Sequence, residues 1–371
     1  VSSITIYNTQ GGDLVAAPVI GPSADASSGW WHNPHMRLDD RFDDLVASLG
    51  GFYKTWYVYA GLELGLFEHL RTAGDAGMAT AELAAAAGIQ ADLASQWVWG
   101  ADAHSLVDID GDRVRLPVEV GRILLDPDRP EYLGGQFLHA SIGSLDYQAL
   151  TDVFRTGTPL RARPDRYRVS IERLTIQDVA VFFEEVLGAF PQLAADLAPG
   201  SRIIDVHCGG GRWLIAMARR FADTQLTGVE FEPDSVERAR ANVASAGVAD
   251  RVEIEQGSMV AVGHTSEATL VYLQYTLHQL PDPAETLRSA WAAVKPGGWL
   301  VSLDWYLPTD PELLRTRHAE LIAGVQLDEL VQGTRLVSSS AALGWYADAG
   351  LPIPELIELP SGASAIVLHR D

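Results

Sequence analysis

Arg202-Ile203-Ile204-Asp205-Val206-His207-Cys208-Gly209-Gly210-Gly211-Arg212-Trp213 is the stretch that decides the fold. An apolar run carries an acid near its end and breaks at three glycines. A helix-like segment follows, from Trp213 to Phe221. Strand, tight turn and helix start in that order mark the place where open α/β sheets bind nucleotide-like cofactors. Glycines at 209 to 211 let the backbone come close to a ligand, because no Cβ stands in the way.

Downstream of this turn the chain alternates. Strands are expected at 202–206, 225–230, 251–255, 269–273, 299–304, 355–359 and 364–369, with helices between the earlier ones. That alternation predicts a doubly wound, Rossmann-like α/β sheet of seven strands. Lys295-Pro296-Gly297-Gly298 feeds the fifth strand. The last two strands meet through Ser361-Gly362 and are expected to be antiparallel.

Upstream, apolar residues recur at helical spacing from Asp39 to Leu70: Phe42, Leu45, Val46, Leu49, Phe52, Val58, Leu62, Leu64, Leu66 and Phe67. Thr80 to Gly88 reads as a short capped helix and Ala91 to His104 as another. A hairpin is centred on Asp110-Gly111. Helices followed by a hairpin form a winged-helix arrangement. Residues 120 to 198 read as mostly helical, broken at Thr156-Gly157-Thr158-Pro159 and at Arg163-Pro164. The expected organisation is an extended arm (1–38), a winged-helix dimerisation domain (39–125), a helical linker and substrate cap (126–198) and a catalytic domain (199–371).

At 371 residues the chain is long enough for two cores. Its formal net charge of -22 repels phosphate backbones. The helix that would enter a DNA groove, Ala91 to His104, has no Lys or Arg and carries Asp92, Trp97, Trp99 and Asp102. Nucleic acid is therefore not an expected partner. A self-associating apolar face suits the segment better. The run from Arg155 to Arg173 is interrupted by Asp165 and Glu172 and reads as a solvated or domain-facing segment. One cysteine, Cys208, rules out an intrachain disulfide, and the absence of an apolar run of membrane length points to a cytoplasmic protein. Trp30-Trp31-His32-Asn33-Pro34-His35 contains a His-x-x-His pair, but no acid or thiol cluster accompanies it, so no metal site is expected.

Three positions line up along the sheet's carboxyl edge. Asp205 ends the first strand. Glu230 ends the second, in Leu226-Thr227-Gly228-Val229-Glu230-Phe231, where an acid accepts hydrogen bonds from both ribose hydroxyls. Gly257-Ser258-Met259 follows the third, with a polar group for an adenine edge and an apolar one for its face. A dinucleotide fingerprint would need a third glycine where Leu214 stands, and no Gly-Lys-Ser or Gly-Lys-Thr occurs. These absences favour S-adenosylmethionine over NAD or ATP.

With these motifs, residues 199 to 371 resemble a class I S-adenosylmethionine-dependent methyltransferase. Further matching elements are Leu277-His278-Gln279-Leu280-Pro281-Asp282 and Lys295-Pro296-Gly297-Gly298. Residues 40 to 198 resemble the winged-helix dimerisation and linker region of small-molecule O-methyltransferases. The resemblance implies a homodimer. It implies cofactor binding by Asp205, His207, Cys208, Gly209, Gly211, Glu230, Phe231, Ser258, Met259 and Gln274. It also implies that His278 is the base that removes a hydroxyl proton. Two positions depart from the pattern. His207 stands where the family has Gly, and Ser258 where it often has an acid. Trp305 and Tyr306, after the fifth strand, are placed to stack on a substrate or to close the core.

The function expected is methyl transfer to a small molecule in specialised metabolism, to oxygen in preference to carbon or nitrogen. Two other readings share the sequence. One is non-methylating chemistry on the same fold (decarboxylation, hydroxylation or cyclisation), which His207 keeps open. The other is a winged-helix metabolite sensor without catalysis.

Overall fold

The computed structural model describes residues 6–7, 37–160, 163–197, 200–264 and 266–371. The His32/His35 pair and nearly all of the 1–38 arm lie outside the described residues.

The chain forms two compact units. Of the described residues, one comprises those within 37–127 and 131–144, the other those within 6–7, 128–130 and 145–371. In chain order the strands are β1 (Ile6–Tyr7), β2 (Met78–Ala79), β3 (Asp108–Asp110), β4 (Arg113–Arg115), β5 (Arg202–Val206), β6 (Gln225–Glu230), β7 (Val252–Gln256), β8 (Ala268–Gln274), β9 (Val294–Asp304), β10 (Glu355–Glu358) and β11 (Ser364–His369).

In the smaller unit, the helices Leu38–Glu63, Leu66–Ala73, Thr80–Ala87 and Ala91–Ala103 precede the β3–β4 hairpin, and β2 pairs with β4 to complete a three-stranded sheet. Helices thus precede a short hairpin, as the sequence pattern of this segment predicts. The core gathers Val58, Leu66, Phe67, Leu70, Leu83, Trp97 and Val114. Gly61 and Gly100 allow close helix contact, since a Cβ at Gly100 would meet the Tyr57 ring at 2.1 Å. The first half of the long helix is different: Phe42, Leu45, Leu49 and Phe52 are 53–66% exposed.

In the larger unit the strands run β1-β10-β11-β9-β8-β5-β6-β7. The seven expected strands are present. An eighth, β1, adds two residues antiparallel to β10. Strands β5 to β9 are parallel to their neighbours, while β11 runs antiparallel to β9 and β10 to β11. Helices cover both faces, so the central strands are apolar on both sides, as parallel strands must be. Ile203, Tyr272 and Val301 point into one core with Trp213 and Leu214. Ile204, Val206, Val271 and Leu273 point into the other with Leu287 and Tyr346. Helix starts follow their local chemistry. The Asp282 carboxylate accepts the Glu285 N–H at 2.8 Å and Pro283 occupies the first turn of the helix Pro283–Ala293.

The strand order reverses beside β5: β6 and β7 lie to one side, β8 and β9 to the other. The carboxyl ends of β5 and β8 thus flank a topological switch point, where open α/β sheets bind ligands.

Candidate functional site

The glycine turn leaves β5 at His207, whose φ is +61°. The His207 and Cys208 N–H groups donate to the Val229 carbonyl at 2.7 and 3.3 Å, so the turn is tied to β6. Gly209 and Gly211 also have positive φ, and Gly211 caps the helix Arg212–Arg220. Space beside Gly209 is open, with no atom within 4 Å of a Cβ built there. Gly228 on β6 serves a different need. A Cβ there would lie 2.6 Å from both Cys208 Sγ and Leu214 Cδ1. This glycine supplies the close helix–sheet packing for which a dinucleotide site uses its third glycine.

Glu230 is buried at the end of β6. Its Oε2 accepts the Gly209 N–H at 3.0 Å, and its Oε1 accepts the Phe231 and Glu232 N–H groups at 2.9 Å each. Three amides use three of the roughly four lone-pair sites of a carboxylate. The Gly257 N–H donates to the Glu230 carbonyl at 2.9 Å, which brings the end of β7 to the same edge. Ser258 there accepts the Ala261 N–H at 3.2 Å, while Met259 is buried in the core. The His207 ring lies 5.0 Å from that of Phe231. Burial holds the His207 pKa below its ordinary value, against the pull of Glu230. Asp205, buried near Glu230, has its carboxyl pushed well up, chiefly by burial and then by that neighbouring charge.

A second cluster lies past β8. His278 Nδ1 is 2.9 Å from Asp304 Oδ2, at the end of β9. His278 Nε2 is buried without a hydrogen bond and faces Glu329 Oε2 at 3.5 Å. Burial opposes a charge on His278, but the two carboxylates outweigh it and lift its pKa to about 10. Glu329 lies on the helix Arg317–Gln332. Burial works against its charge too, yet His278, Thr334 and Gln332 hold its carboxyl below the usual range.

The same helix carries Asp328. Arg163 donates to Asp146 Oδ2 from Nε at 3.1 Å and to Asp328 Oδ1 at 3.2 Å, and its guanidinium stacks 3.5 Å above the Tyr167 ring. The Tyr167 hydroxyl donates to Asp328. The Arg163 side chain is 6% exposed, so the solvated reading of the 155–173 arginines fails at this residue. Two carboxylates far apart in sequence draw it inside.

Gln274 ends β8 beside the point where the chain leaves β5 at His207, one step past the Leu273–Val206 pairing. It donates to Asp178 Oδ2 at 2.6 Å. Tyr306 is buried in the core, and Trp305 is half-buried and stacked on His318, with centroids 5.8 Å apart.

The structure therefore brings His207, Gly209, Glu230 and Phe231 together, with Ser258 and Gln274 on the same sheet edge. It joins His278 to Asp304. Glu329, Asp178 and Arg163 were missed in the sequence. For Glu329 the only local signal is an acid inside an apolar helical stretch, Leu327-Asp328-Glu329-Leu330; Arg163 lies in the Arg163-Pro164 break between helices and carries no such signal.

A family profile described as a methyltransferase domain matches residues 181–351. A ubiquinone biosynthesis O-methyltransferase of Stutzerimonas stutzeri is 30% identical over 170 residues, covering 43% of this chain and 68% of the relative. The chain belongs to the class I S-adenosylmethionine-dependent methyltransferases. A 27-O-demethylrifamycin SV methyltransferase of Amycolatopsis mediterranei is 29% identical over 41% of this chain and 60% of that protein. The chain spans about half the length of most curated relatives it matches. A solved structure described as PigF with SAH has the same fold over 90% of this chain and 99% of that one, with TM-score 0.69 and 20% identity.

The residues present fit the family's cofactor. The turn is open beside Gly209 and ends at a helix start. Glu230 keeps roughly one lone-pair site beyond its three amides, room for one ribose hydroxyl where the sequence pattern predicts two. His207 replaces a glycine but keeps the left-handed backbone, and as a neutral ring it adds no positive charge to this edge.

Proposed function

We propose that this chain transfers a methyl group from S-adenosylmethionine to a hydroxyl of a small-molecule acceptor, in the synthesis of a specialised metabolite. The observation that carries the choice of oxygen is His278. Asp304 fixes its tautomer and orientation through Nδ1, which leaves Nε2 buried, 3.5 Å from Glu329 and, in the neutral ring, open to accept a proton. An imidazole oriented in this way takes a proton from a hydroxyl. When bound, the cofactor supplies an electrophilic methyl on a sulfonium. The chain's own task is to hold the acceptor and receive its proton at Nε2. In-line orientation contributes much of the rate. The rifamycin relative's name supports the class of acceptor. The net charge of -22 disfavours polyanionic acceptors.

The test is S-adenosylhomocysteine formation with a panel of phenolic and other hydroxylated acceptors, for the wild type and His278→Gln. Neutral His278 is the active form, so the wild-type rate should climb with pH toward about 10. The variant should lose roughly 10²- to 10⁴-fold in kcat and the pH dependence with it. An unchanged rate in the variant would sink the assignment. Cofactor binding with no S-adenosylhomocysteine from any acceptor would favour non-methylating chemistry.

We infer also that two copies associate through the long helix Leu38–Glu63. Its first half exposes five large apolar side chains at helical spacing, Phe42, Leu45, Val46, Leu49 and Phe52, and a clustered apolar face of this kind marks an interaction surface. A second copy of the same helix matches it by symmetry. Light scattering should give the mass of two chains, and Leu49→Glu the mass of one. A wild-type monomer at micromolar concentration would overturn this.

A further inference from the structure

Asp178 is a buried acid that the proposed methyl transfer does not use. It sits on the short helix Ile176–Ala180, and a π-helical turn, Val181–Val186, follows directly. π turns inside helices are frequent at functional sites. The turn is held firmly: the Phe182 ring packs edge-on against Trp213 and Tyr272 at 5.0 and 5.1 Å.

The Asp178 carboxylate has two partners, both neutral. Gln274 Nε2 donates to Oδ2 at 2.6 Å, and the Tyr275 hydroxyl donates to Oδ1 at 3.3 Å. Among the described residues no Lys, Arg or His pairs with it. A buried carboxylate with no cation is costly. Here burial pushes the carboxyl up to about 7.

Its place explains what such an acid can do. Gln274 and Tyr275 leave the end of β8, next to the His207 end of β5. These two ends flank the switch-point crevice. The Glu230 carboxylate, which fits a ribose, is on the far side of β5, at the end of β6. The glycine turn runs between the two acids. β8 and β6 lie on either side of β5, about 10 Å apart at the usual strand spacing, so a ligand with its ribose at Glu230 that extends across the glycine turn runs toward the β8 end, where Gln274 holds Asp178. Tyr275 holds a left-handed backbone at φ +47° while its N–H donates to the Leu303 carbonyl at 2.8 Å, which anchors the main chain that carries the hydroxyl meeting Asp178.

We propose that Asp178 is the counter-ion for the α-ammonium of the cofactor's methionine end, with Gln274 orienting the carboxylate. The proposal rests on the cofactor reading above. Asp178 Oδ1, with only a long hydrogen bond from Tyr275, is the oxygen that takes the ammonium.

The test is calorimetric titration of the full chain at pH 7 with S-adenosylhomocysteine and with its deamino analogue, which lacks only the amine. The wild type should prefer the amine-bearing ligand by at least roughly tenfold, the loss expected for a hydrogen bond to a charged group. Asp178→Asn should bind the two alike, with the deamino analogue as tight as in the wild type. Titration in buffers of different ionisation enthalpy should show proton release with S-adenosylhomocysteine in the wild type and none in Asp178→Asn. A variant that keeps the full preference for the amine would overturn the proposal. So would equal loss of both ligands, which would make Asp178 a structural residue. A wild type that binds neither ligand would refute the cofactor reading itself, and the proposal with it, a result distinct from loss of the amine preference alone.

Discussion

The two ends of the sheet's carboxyl edge satisfy their charges in different ways. At the β5–β7 end, Glu230 is held by backbone N–H groups of the glycine turn and of the residues that follow it. At the β8–β9 end, His278 is held by the side chains of Asp304 and Glu329, and Asp328 on the same helix is held by Arg163 and Tyr167. Backbone donors come with the strand–turn–helix itself and survive many substitutions. Side-chain partners exist only while each named residue does. The first arrangement suits a ligand common to a family, the second an acceptor that differs between members.

Substitutions should therefore be costly at the second end and mild at the first. The largest effect on folding is expected for Arg163→Met. It leaves Asp146 and Asp328 buried without the guanidinium that joins them, and should cost about 3–5 kcal/mol in urea unfolding. A loss under about 1 kcal/mol would show that the network adds little to stability, and the contrast would weaken.

The next effect is a pH dependence. His278 has a folded pKa lifted to about 10 from an ordinary 6.5. A group whose pKa rises on folding stabilises the protein fully below its unfolded pKa. That stability fades as pH climbs from about 6.5 through about 10. The melting temperature of the wild type should thus fall across this window, and that of His278→Gln should fall less. Parallel curves for the two proteins would mean that Asp304 and Glu329 do not hold the imidazole charged.

The smallest effect is expected at the first end, from His207→Gly. Relief of left-handed strain is worth about 1–2 kcal/mol. Loss of the ring contact with Phe231 and the larger unfolded-state entropy of glycine offset it by a similar amount. The net change should stay within about 1 kcal/mol by denaturant titration. A loss of more than about 2 kcal/mol would place His207 among the side chains that the fold depends on, and the contrast between the two ends would fail.

Much of this molecule was legible in its sequence wherever the cause is local. The Arg202–Val206 strand, the glycine turn and the helix after it follow from one run of residues. Glu230 was legible because it ends a strand 25 residues after Asp205 and sits next to the turn by simple parallel pairing. The Asp108–Arg115 hairpin was legible from its Asp-Gly turn. His278 was legible as a residue, but its charge state was not. A lone histidine reads as a neutral base near pH 7, whereas the two carboxylates that hold it charged lie 26 and 51 residues further along the chain.

The sequence by itself determined the α/β class, the succession of strands along the chain and the candidate cofactor edge, because hydrophobic period, glycine placement and strand-end acids act within a few residues of one another. Tertiary structure alone decided which polar groups meet away from water. Asp178 finds Gln274 at a separation of 96 residues, and Arg163 finds Asp328 at 165. No periodicity encodes such pairs. They form because packing buries each group, and a buried charge must find a partner or lose its charge.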